Sequence, residues 1–378
     1  MILGFLMCLL IGASVLPAAA DNSSPRPISG AIRWDAWHTP WSRVKPGSTD
    51  GPVAAMELSL SPKQYHYRLP FFARITGENE VRIDGYTQAI MDQEIAYAKA
   101  GRLDYWAFLL YDRDSAMSQG LSLYLSSAHK QDMHFCAIAS PPTFGGTEKF
   151  AQGVDRIVKL MAEPSYQKVM GDRPLLYLFD VSDRWLDAWG GPERAKTLFT
   201  ALHSAVQAAG HGDPYVVVAD FSPTHGRKIA DIVGAQALTS YTKGGSGRGA
   251  PYAELARGAY DFWNACADMG LQVVPIVVAG WDRRPRVEHP VPWESYQKPG
   301  VGLDQYYVMP TPKELAGSIR YAAEWISQHK LECPACVELI YAWNEHDEGG
   351  YLCPTLNPDG SANTDRLDAI AAMVKDLK

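Results

Sequence analysis

The chain has 378 residues, of which 47% are hydrophobic and 20% are charged, so it is long enough to bury one barrel-sized core or two smaller ones. Its formal net charge is −7 and no run of lysine and arginine stands out, which argues against nucleic acid as the main partner. The 11 tryptophans and 19 tyrosines are many for this length, and flat aromatic side chains bind sugar rings as well as fill cores.

The first 20 residues have the pattern of a secretory signal peptide. Residues 2–16 form an apolar run, followed by Pro17 and a small-residue cleavage pattern, 18–20, before Asp21. The run is too short for a membrane span, but no lysine or arginine precedes it, so a membrane anchor is the alternative. We predict cleavage after residue 20, a secreted or periplasmic protein without stable membrane insertion, and a disordered segment over 21–29.

Cysteine spacing is compatible with a disulfide but does not indicate a metal site. Cys333 and Cys336 form a CxxC sequence that could close in an oxidising compartment, and Cys353 could compete as a partner. A structural zinc site usually needs four ligands, and no second pair has suitable spacing. We therefore expect no metal and no organic cofactor.

From Ile28 onward, apolar β-prone runs alternate with helical patterns. The predicted strands are 31–37, 105–111, 134–140, 174–180, 215–220, 236–242, 273–280 and 337–343. The predicted helices are 86–99, 117–130, 148–161, 192–209, 227–233, 252–269, 312–330 and 364–377. A long connection, 39–84, follows the first strand, and a proline-rich insertion, 283–309, follows the seventh.

Eight strands, each followed by a helix, predict an α/β fold of the (β/α)8 TIM-barrel class. Continuous apolar strands between helices indicate a parallel sheet that is covered on both faces. The size fits a single domain over 30–378 with long loops after strands 1 and 7. An open, doubly wound sheet is the alternative.

Barrels of this class carry their active sites at the carboxyl ends of the strands. Polar and aromatic residues occupy those positions in the sequence, and we predict that they bind substrate: Asp35, Trp37, His38, Tyr111, Asp112, Asp180, Asp220, Tyr241, Trp281 and Asp282. Asp180 and Asp220 could instead cap helices, and Asp112 could pair with Arg113. The arginines at 283, 284 and 286 could meet an anionic substrate, although we favour solvated surface charges.

The eighth strand runs directly into a polar cluster. Asn344, Glu345, His346, Asp347 and Glu348 are followed by two glycines that make a turn easy. A turn would bring both glutamates to one side, and a pair of carboxylates in one cleft is what glycoside hydrolysis needs. The alternative is an acidic loop in solvent.

The stretch 343–354, WNEHDEGGYLCP, resembles the WNEW-x-EG motif that ends strand eight in the family 99 glycoside hydrolases, the endo-α-mannosidases, and in WbsX-like proteins. The blocks 89–108, 171–178 and 280–285 resemble other parts of that family in the same order. The resemblance therefore spans most of the chain that follows the signal peptide.

The resemblance implies a secreted enzyme that cleaves α-glycosidic bonds in a polysaccharide or glycan, with α-mannosidic bonds as a candidate. It implies Glu345 as base, Glu348 as general acid, and retention of configuration through the substrate's own 2-hydroxyl, with Asn344, His346 and Tyr351 at the substrate. His346 stands where the family has tryptophan, and we expect the neighbouring Asp347 to raise the pKa of Glu348. A non-catalytic glycan-binding barrel and a WbsX-like glycosyltransferase are the alternatives.

Overall fold

Parallel strands form the centre of the structure, a computed structural model that describes residues 26–38 and 51–377. Within these ranges, eight of them follow the predicted strands in order. They are β1 (Ile28–Arg33), β2 (Tyr105–Leu109), β3 (His134–Ala139), β4 (Arg173–Phe179), β5 (Tyr215–Ala219), β6 (Ala237–Thr239), β7 in two pieces (Gln272–Val273 and Ile276–Val278) and β8 (Val337–Tyr341).

Hydrogen-bonded pairing runs in order from β1 to β6 and returns to β1 through β7 and β8. The first piece of β7 pairs with β6, and its second piece pairs with β8. Pro275, which has no N–H to donate, separates the two pieces, yet its carbonyl accepts from Leu339 at 2.9 Å. An open sheet would leave the first and last strands apart, so this curled sheet is TIM-barrel-like and not doubly wound.

Helices cover the outer face of the sheet, which explains why every residue of a strand such as β5 is buried. The α-helices are Pro52–Leu60, Gln88–Ala100, Gln119–Ser126, Pro141–Phe144, Phe150–Met161, Asp183–Ala188, Pro192–Ala208, Pro223–Val233, Tyr252–Asp268, Arg284–Glu288, Pro312–Gln328 and Asp365–Asp376. Shorter strands pair antiparallel outside the main ring: Ala73–Gly77 with Glu80–Ile83, Asn344–Glu345 with Gly350–Tyr351, Thr355–Leu356 with Ala362–Asn363, and Lys168–Val169 with β4.

The first strand differs from its prediction at both ends. It begins at Ile28, so Ile28 and Ser29 are part of the sheet and not of the predicted disordered segment 21–29, because they pair with β8. It ends at Arg33 instead of residue 37. The predicted connection 39–84 contains a helix and a hairpin, while residues 39–50 lie outside the described ranges.

The predicted signal peptide, 1–20, also lies outside the described residues. Within 26–38 and 51–377, no helix has the length and apolar character needed to cross a membrane. Cys333 and Cys336 precede β8, whereas Cys353 follows its other end and packs against Glu94. Cys353 is therefore not placed to compete for either of the other two.

Candidate active site

A cavity of about 540 Å³ opens at the carboxyl ends of the barrel strands. It is lined by residues that directly end or follow β1, β2, β4, β5, β6, β7 and β8, as the barrel rule predicts. Its aromatic lining residues are Trp34, Tyr111, Phe179, Phe221, Tyr241, Trp281, Trp293 and Tyr296.

Glu345 and Glu348 both line this cavity. Glu345 lies in the short hairpin after β8, and a 3-10 turn, His346–Glu348, brings Glu348 round to the same side. Gly349 ends the turn with a φ of +81°, a conformation that favours glycine. Only 4% of Glu345 and 8% of Glu348 is exposed, so the predicted pair is an enclosed site and not a solvated acidic loop.

A single guanidinium group contacts all three acidic residues of this turn. Nη1 of Arg286 donates to Oε1 of Glu348 at 2.5 Å, and Nη2 donates to Oε2 of Glu345 at 3.2 Å. Its Nε donates to Oδ2 of Asp347 at 2.5 Å. Such charge-assisted bonds are stronger than neutral ones, so Arg286 fixes the two glutamates relative to each other.

Arg283 is the second cation of the site. Its Nε lies 3.2 Å from Oε1 of Glu348, and its Nη2 donates to Oε2 of Glu294. Glu294 also accepts from Nη1 of Arg286 at 3.2 Å. Two guanidinium groups therefore face four carboxyl groups, and such an excess of buried negative charge favours retention of a proton.

The two glutamates differ in their protonation. Burial raises the pKa of Glu345 well above its usual range, the charge of Glu348 adds to this, and Arg286 opposes it only in part. Burial also favours the neutral form of Glu348, but Arg286 and Arg283 outweigh it and, with the hydroxyl of Tyr341, lower its pKa. The two pKa shifts have opposite directions, which in the substrate-free protein favours the proton on Glu345 and the negative charge on Glu348.

The expectation that Asp347 raises the pKa of Glu348 is wrong. The carboxylate of Asp347 is bound by Arg286, at Nε and at Nη2, and its negative charge raises the pKa of Glu345. The pKa of Glu348 is lowered because the same cation reaches it directly.

Three of the predicted strand-end residues line the cavity together with the glutamates: Tyr111, Tyr241 and Trp281. The hydroxyl of Tyr241 lies 3.4 Å from Oε1 of Glu345 and donates to it. The hydroxyl of Tyr111 accepts from Nε1 of Trp34 at 2.7 Å, which holds these two aromatic residues together on the wall.

Asp35 and Asn344 lie behind the cavity wall, where they hold the hairpin that carries Glu345. The backbone N–H of Trp34 donates to Oδ1 of Asn344 at 2.9 Å, and Nδ2 of Asn344 reaches Asp35 at 3.4 Å. Asp35 in turn accepts from Nε of Arg33 at 2.8 Å. This series of hydrogen bonds connects the end of β1 to the turn after β8.

Trp37 and His38 are fully buried and do not line the cavity. Nε2 of His38 lies 2.9 Å from Oε2 of Glu94. The other oxygen of Glu94 accepts from Nε1 of Trp343 at 2.8 Å. These contacts connect the helix Gln88–Ala100 to the motif after β8.

His346, Tyr351 and Asp282 also lie behind the wall. The imidazole of His346 stacks on Tyr351 with ring centroids 4.7 Å apart, and burial lowers its pKa to about 3, so it is neutral. Asp282 pairs with Arg68 and Arg284. The structure therefore does not place His346 as a sugar platform in the position of the family tryptophan.

Asp112, Asp180 and Asp220 do not line the cavity. Asp112 and Asp180 are exposed. Oδ1 of Asp220 accepts from the backbone N–H of Ser222 at 2.8 Å, and Oδ2 lies 2.5 Å from Nδ1 of His225. Asp220 thus satisfies a backbone group at the start of the helix Pro223–Val233, the alternative considered for it.

Of the two interpretations open for Arg283 and Arg286, the favoured one, solvated surface charges, is wrong, because these arginines are 7% and 5% exposed. A short helix begins at Arg284, directly after Arg283, with Pro285 in its first turn, and residues three apart on a helix share a face. This spacing is the sequence signal that could have placed the two arginines together. No such signal was present for Trp293, Glu294 and Tyr296, which lie in an irregular segment.

Among the described residues, no group of three or more histidine, cysteine or acidic side chains is placed to hold a metal ion. The carboxyl groups of the cavity are instead bound by arginine and tyrosine.

Solved structures similar to this chain include two of the GH99 endo-alpha-mannosidase from Bacteroides thetaiotaomicron, one of them in complex with bis-tris-propane. Each is 13% identical to this chain, and each match covers 93% of this chain and 97% of the other, with TM-scores of 0.57 and 0.55. The fold is GH99-like. No family model and no curated protein sequence matches the chain.

Proposed function

We propose that this protein is a glycoside hydrolase in which Glu345 and Glu348 are the acid–base pair. The observation that carries the proposal is a pair of buried carboxyl groups, held together by Arg286 in an aromatic cavity, whose pKa values are shifted in opposite directions. Such a pair can deliver a proton to the leaving oxygen while an anion acts at the sugar. The GH99-like fold supports this choice of chemistry.

The roles of the two glutamates can be assigned in two ways. The resemblance implies that Glu345 removes the proton of the substrate 2-hydroxyl and that Glu348 protonates the leaving oxygen, with retention. That assignment needs the proton to move from Glu345 to Glu348 when sugar binds, because Glu348 is the ionised member at rest. In the reverse assignment Glu345 is the donor, which the resting protonation favours.

For the substrate, we propose α-glycosidic bonds of a neutral polysaccharide or glycan, with α-mannan as the first example to test. The exposed aromatic faces of Phe221, Trp293 and Tyr296 border the cavity and suit the apolar faces of sugar rings. The charges of Arg283 and Arg286 are already matched by carboxyl groups, so uronate or sulfate would find no surplus cation there.

The first experiment tests hydrolysis directly. The purified protein is incubated with a panel of α-mannans and anionic polysaccharides, beside Glu345→Gln and Glu348→Gln, and new reducing ends are measured. We expect the wild type to release new reducing ends, and we expect each substitution to lower the rate of this release by about 10²-fold or more. Tight binding without release, retained by both variants, would contradict the proposal and indicate a glycan-binding barrel.

A second comparison assigns the proton donor. A substrate with a poor leaving group needs protonation, whereas an activated aryl glycoside does not. The variant that lacks the donor should therefore lose activity on the first substrate and retain much more on the second. If Glu348→Gln behaves in this way, the assignment from the resemblance holds; if Glu345→Gln does, the reverse assignment holds. Equal losses on both substrates in both variants would remove the acid assignment altogether.

A further inference from the structure

Residues 289–301, here called the rim segment, follow the helix Arg284–Glu288 and form part of the cavity wall. Trp293 and Tyr296 of this segment line the cavity, although 42% and 73% of them is exposed. The ring of Trp293 also contacts that of Trp34, with centroids 5.5 Å apart. The rim segment thus presents two aromatic faces beside the glutamate pair.

Glu294 lies between these two aromatic residues in the sequence, but its side chain is largely buried, whereas theirs are exposed. Its side chain is 12% exposed and binds both cations of the site. Oε1 accepts from Nη1 of Arg286 at 3.2 Å, and Oε2 accepts from Nη2 of Arg283. Buried charge-assisted bonds of this kind hold their partners in a defined geometry. The same nitrogen of Arg286 also donates to Glu348, so one guanidinium joins the rim segment to the catalytic turn.

We propose that Glu294 is a positioning residue with two effects, which rest on the proposed glycosidase function. It holds the rim segment so that Trp293 and Tyr296 form a sugar-binding platform at a fixed distance from the glutamate pair. It also takes up part of the positive charge of Arg283 and Arg286, and so sets how strongly they act on Glu345 and Glu348.

The charge effect has a definite sign. Replacement of Glu294 by glutamine removes an anion near the pair and leaves both arginines less compensated, and both changes favour ionisation. The proton held by Glu345 is then lost at lower pH, so the alkaline limb of the activity profile moves to lower pH. The other groups that act on the pair are unchanged: Tyr111, Tyr241, Tyr341 and Asp347.

The platform effect separates large substrates from small ones. A displaced rim segment weakens contacts with the sugar units beyond the cleaved bond. A small aryl glycoside has no such additional sugar units, so it is less affected. We therefore expect Glu294→Gln to raise KM for α-mannan by about tenfold, with a smaller change for 4-nitrophenyl α-mannoside. A merely destabilised protein would lose activity on both substrates and keep its pH profile.

Asp304 provides the matched control. It lies in the same insertion and also carries one negative charge, but it is more exposed and binds Ser246 and Arg248 instead of Arg283 and Arg286. Asp304→Asn should leave the alkaline limb and the ratio of KM values for the two substrates unchanged.

Amide hydrogen exchange gives a readout that does not depend on activity. We expect peptides that cover 289–301 to exchange about tenfold faster or more in Glu294→Gln than in the wild type or in Asp304→Asn. Unchanged exchange in these peptides would overturn the proposal, whatever the kinetics. Faster exchange in Glu294→Gln, together with a wild type that hydrolyses none of the tested glycans, would support the positioning of the rim segment and contradict the proposed hydrolase.

Discussion

Glu348 accepts hydrogen bonds from Tyr341 and Arg286, whereas Glu345 has longer contacts with Tyr241 and Arg286. These donors stabilise the charged form of the carboxyl group that they reach. The two tyrosines therefore act on different members of the pair, which makes their separate removal informative.

Tyr341→Phe should raise the pKa of Glu348, because the charged form loses a donor. Since the resting pair needs one ionised carboxyl group, and the lowered pKa favours Glu348 as that group, the acidic limb of the activity profile moves to higher pH. Tyr241→Phe is the matched variant: it should raise the pKa of Glu345 and move the alkaline limb to higher pH instead. We expect a shift of about one pH unit or less in each case. If both substitutions moved the same limb, the separate protonation of the pair would be wrong.

Glu338, on β8, links pH to stability at the opposite end of the barrel. Burial raises its pKa to about 8, the hydroxyl of Ser29 opposes this at 2.8 Å, and Asp104 adds to it. The folded protein therefore holds a proton that the unfolded chain releases near pH 4.5. Between these values stability falls as pH rises, by at most about 1.4 kcal/mol per pH unit.

Glu338→Gln should remove this dependence, because the amide stays neutral. We expect its Tm relative to the wild type to be clearly higher at pH 8.5 than at pH 5. The measurement is thermal unfolding at both pH values. An equal difference in Tm at both would show that the carboxyl group of Glu338 does not titrate in this range.

At the scale of elements, the turn after β8 depends on close contact with the turn after β7. A Cβ at position 349 would lie 2.9 Å from the backbone nitrogen of Asp282 and 3.0 Å from the sulfur of Met309. That same nitrogen donates to the carbonyl of Glu348 at 2.7 Å. A side chain at 349 would therefore displace the residue that carries the proposed catalytic carboxylate.

Gly349→Ala should lower both Tm and activity. Gly210→Ala is the control, because Gly210 also has a positive φ, of +86°, but a Cβ there meets nothing within 4 Å. In the control, the free energy of unfolding should fall only by the cost of placing alanine in a left-handed backbone conformation, about 1–2 kcal/mol, and activity should be retained. Comparable losses in both variants would mean that the close contact at 349 has little effect.

The barrel strands could be predicted because each is a short apolar run between helical patterns. The carboxyl ends of the strands could not be predicted, because an apolar or aromatic residue can continue the apolar run beyond the last paired residue. In β1, strand pairing ends at Arg33, but the run continues to Trp37. The hairpin Ala73–Gly77 with Glu80–Ile83 was missed because five of its nine residues are exposed and four of these are polar, a composition that resembles a loop.

The glutamate pair could be predicted because both residues lie in one motif. The residues that set the charge of the pair could not be predicted to lie beside it. Arg286 and Glu294 come from a segment without regular periodicity, distant from the motif in sequence, and only the fold brings them to the two glutamates. His346 shows the converse: it lies within the motif, yet its side chain turns away to stack on Tyr351.

At the scale of the whole molecule, export stays a prediction that can be measured. The protein recovered from the extracellular or periplasmic fraction should begin at Asp21, five residues before the first described residue, Arg26. Amino-terminal sequencing or intact mass gives the answer. A retained amino terminus on a protein that faces the cytoplasm would favour the glycosyltransferase alternative, because nucleotide-sugar donors would then be accessible.

The pairing of β1 with β8 joins distant parts of the chain: Ser29 lies opposite Glu338, 309 positions later. During synthesis β1 can pair with β2 early, but its second neighbour, β8, emerges only after β7, and the two glutamates follow it directly. A prematurely terminated chain would thus lack both ring closure and the carboxyl pair. It would also expose unpaired edges on β1 and β7, which makes such products prone to aggregation.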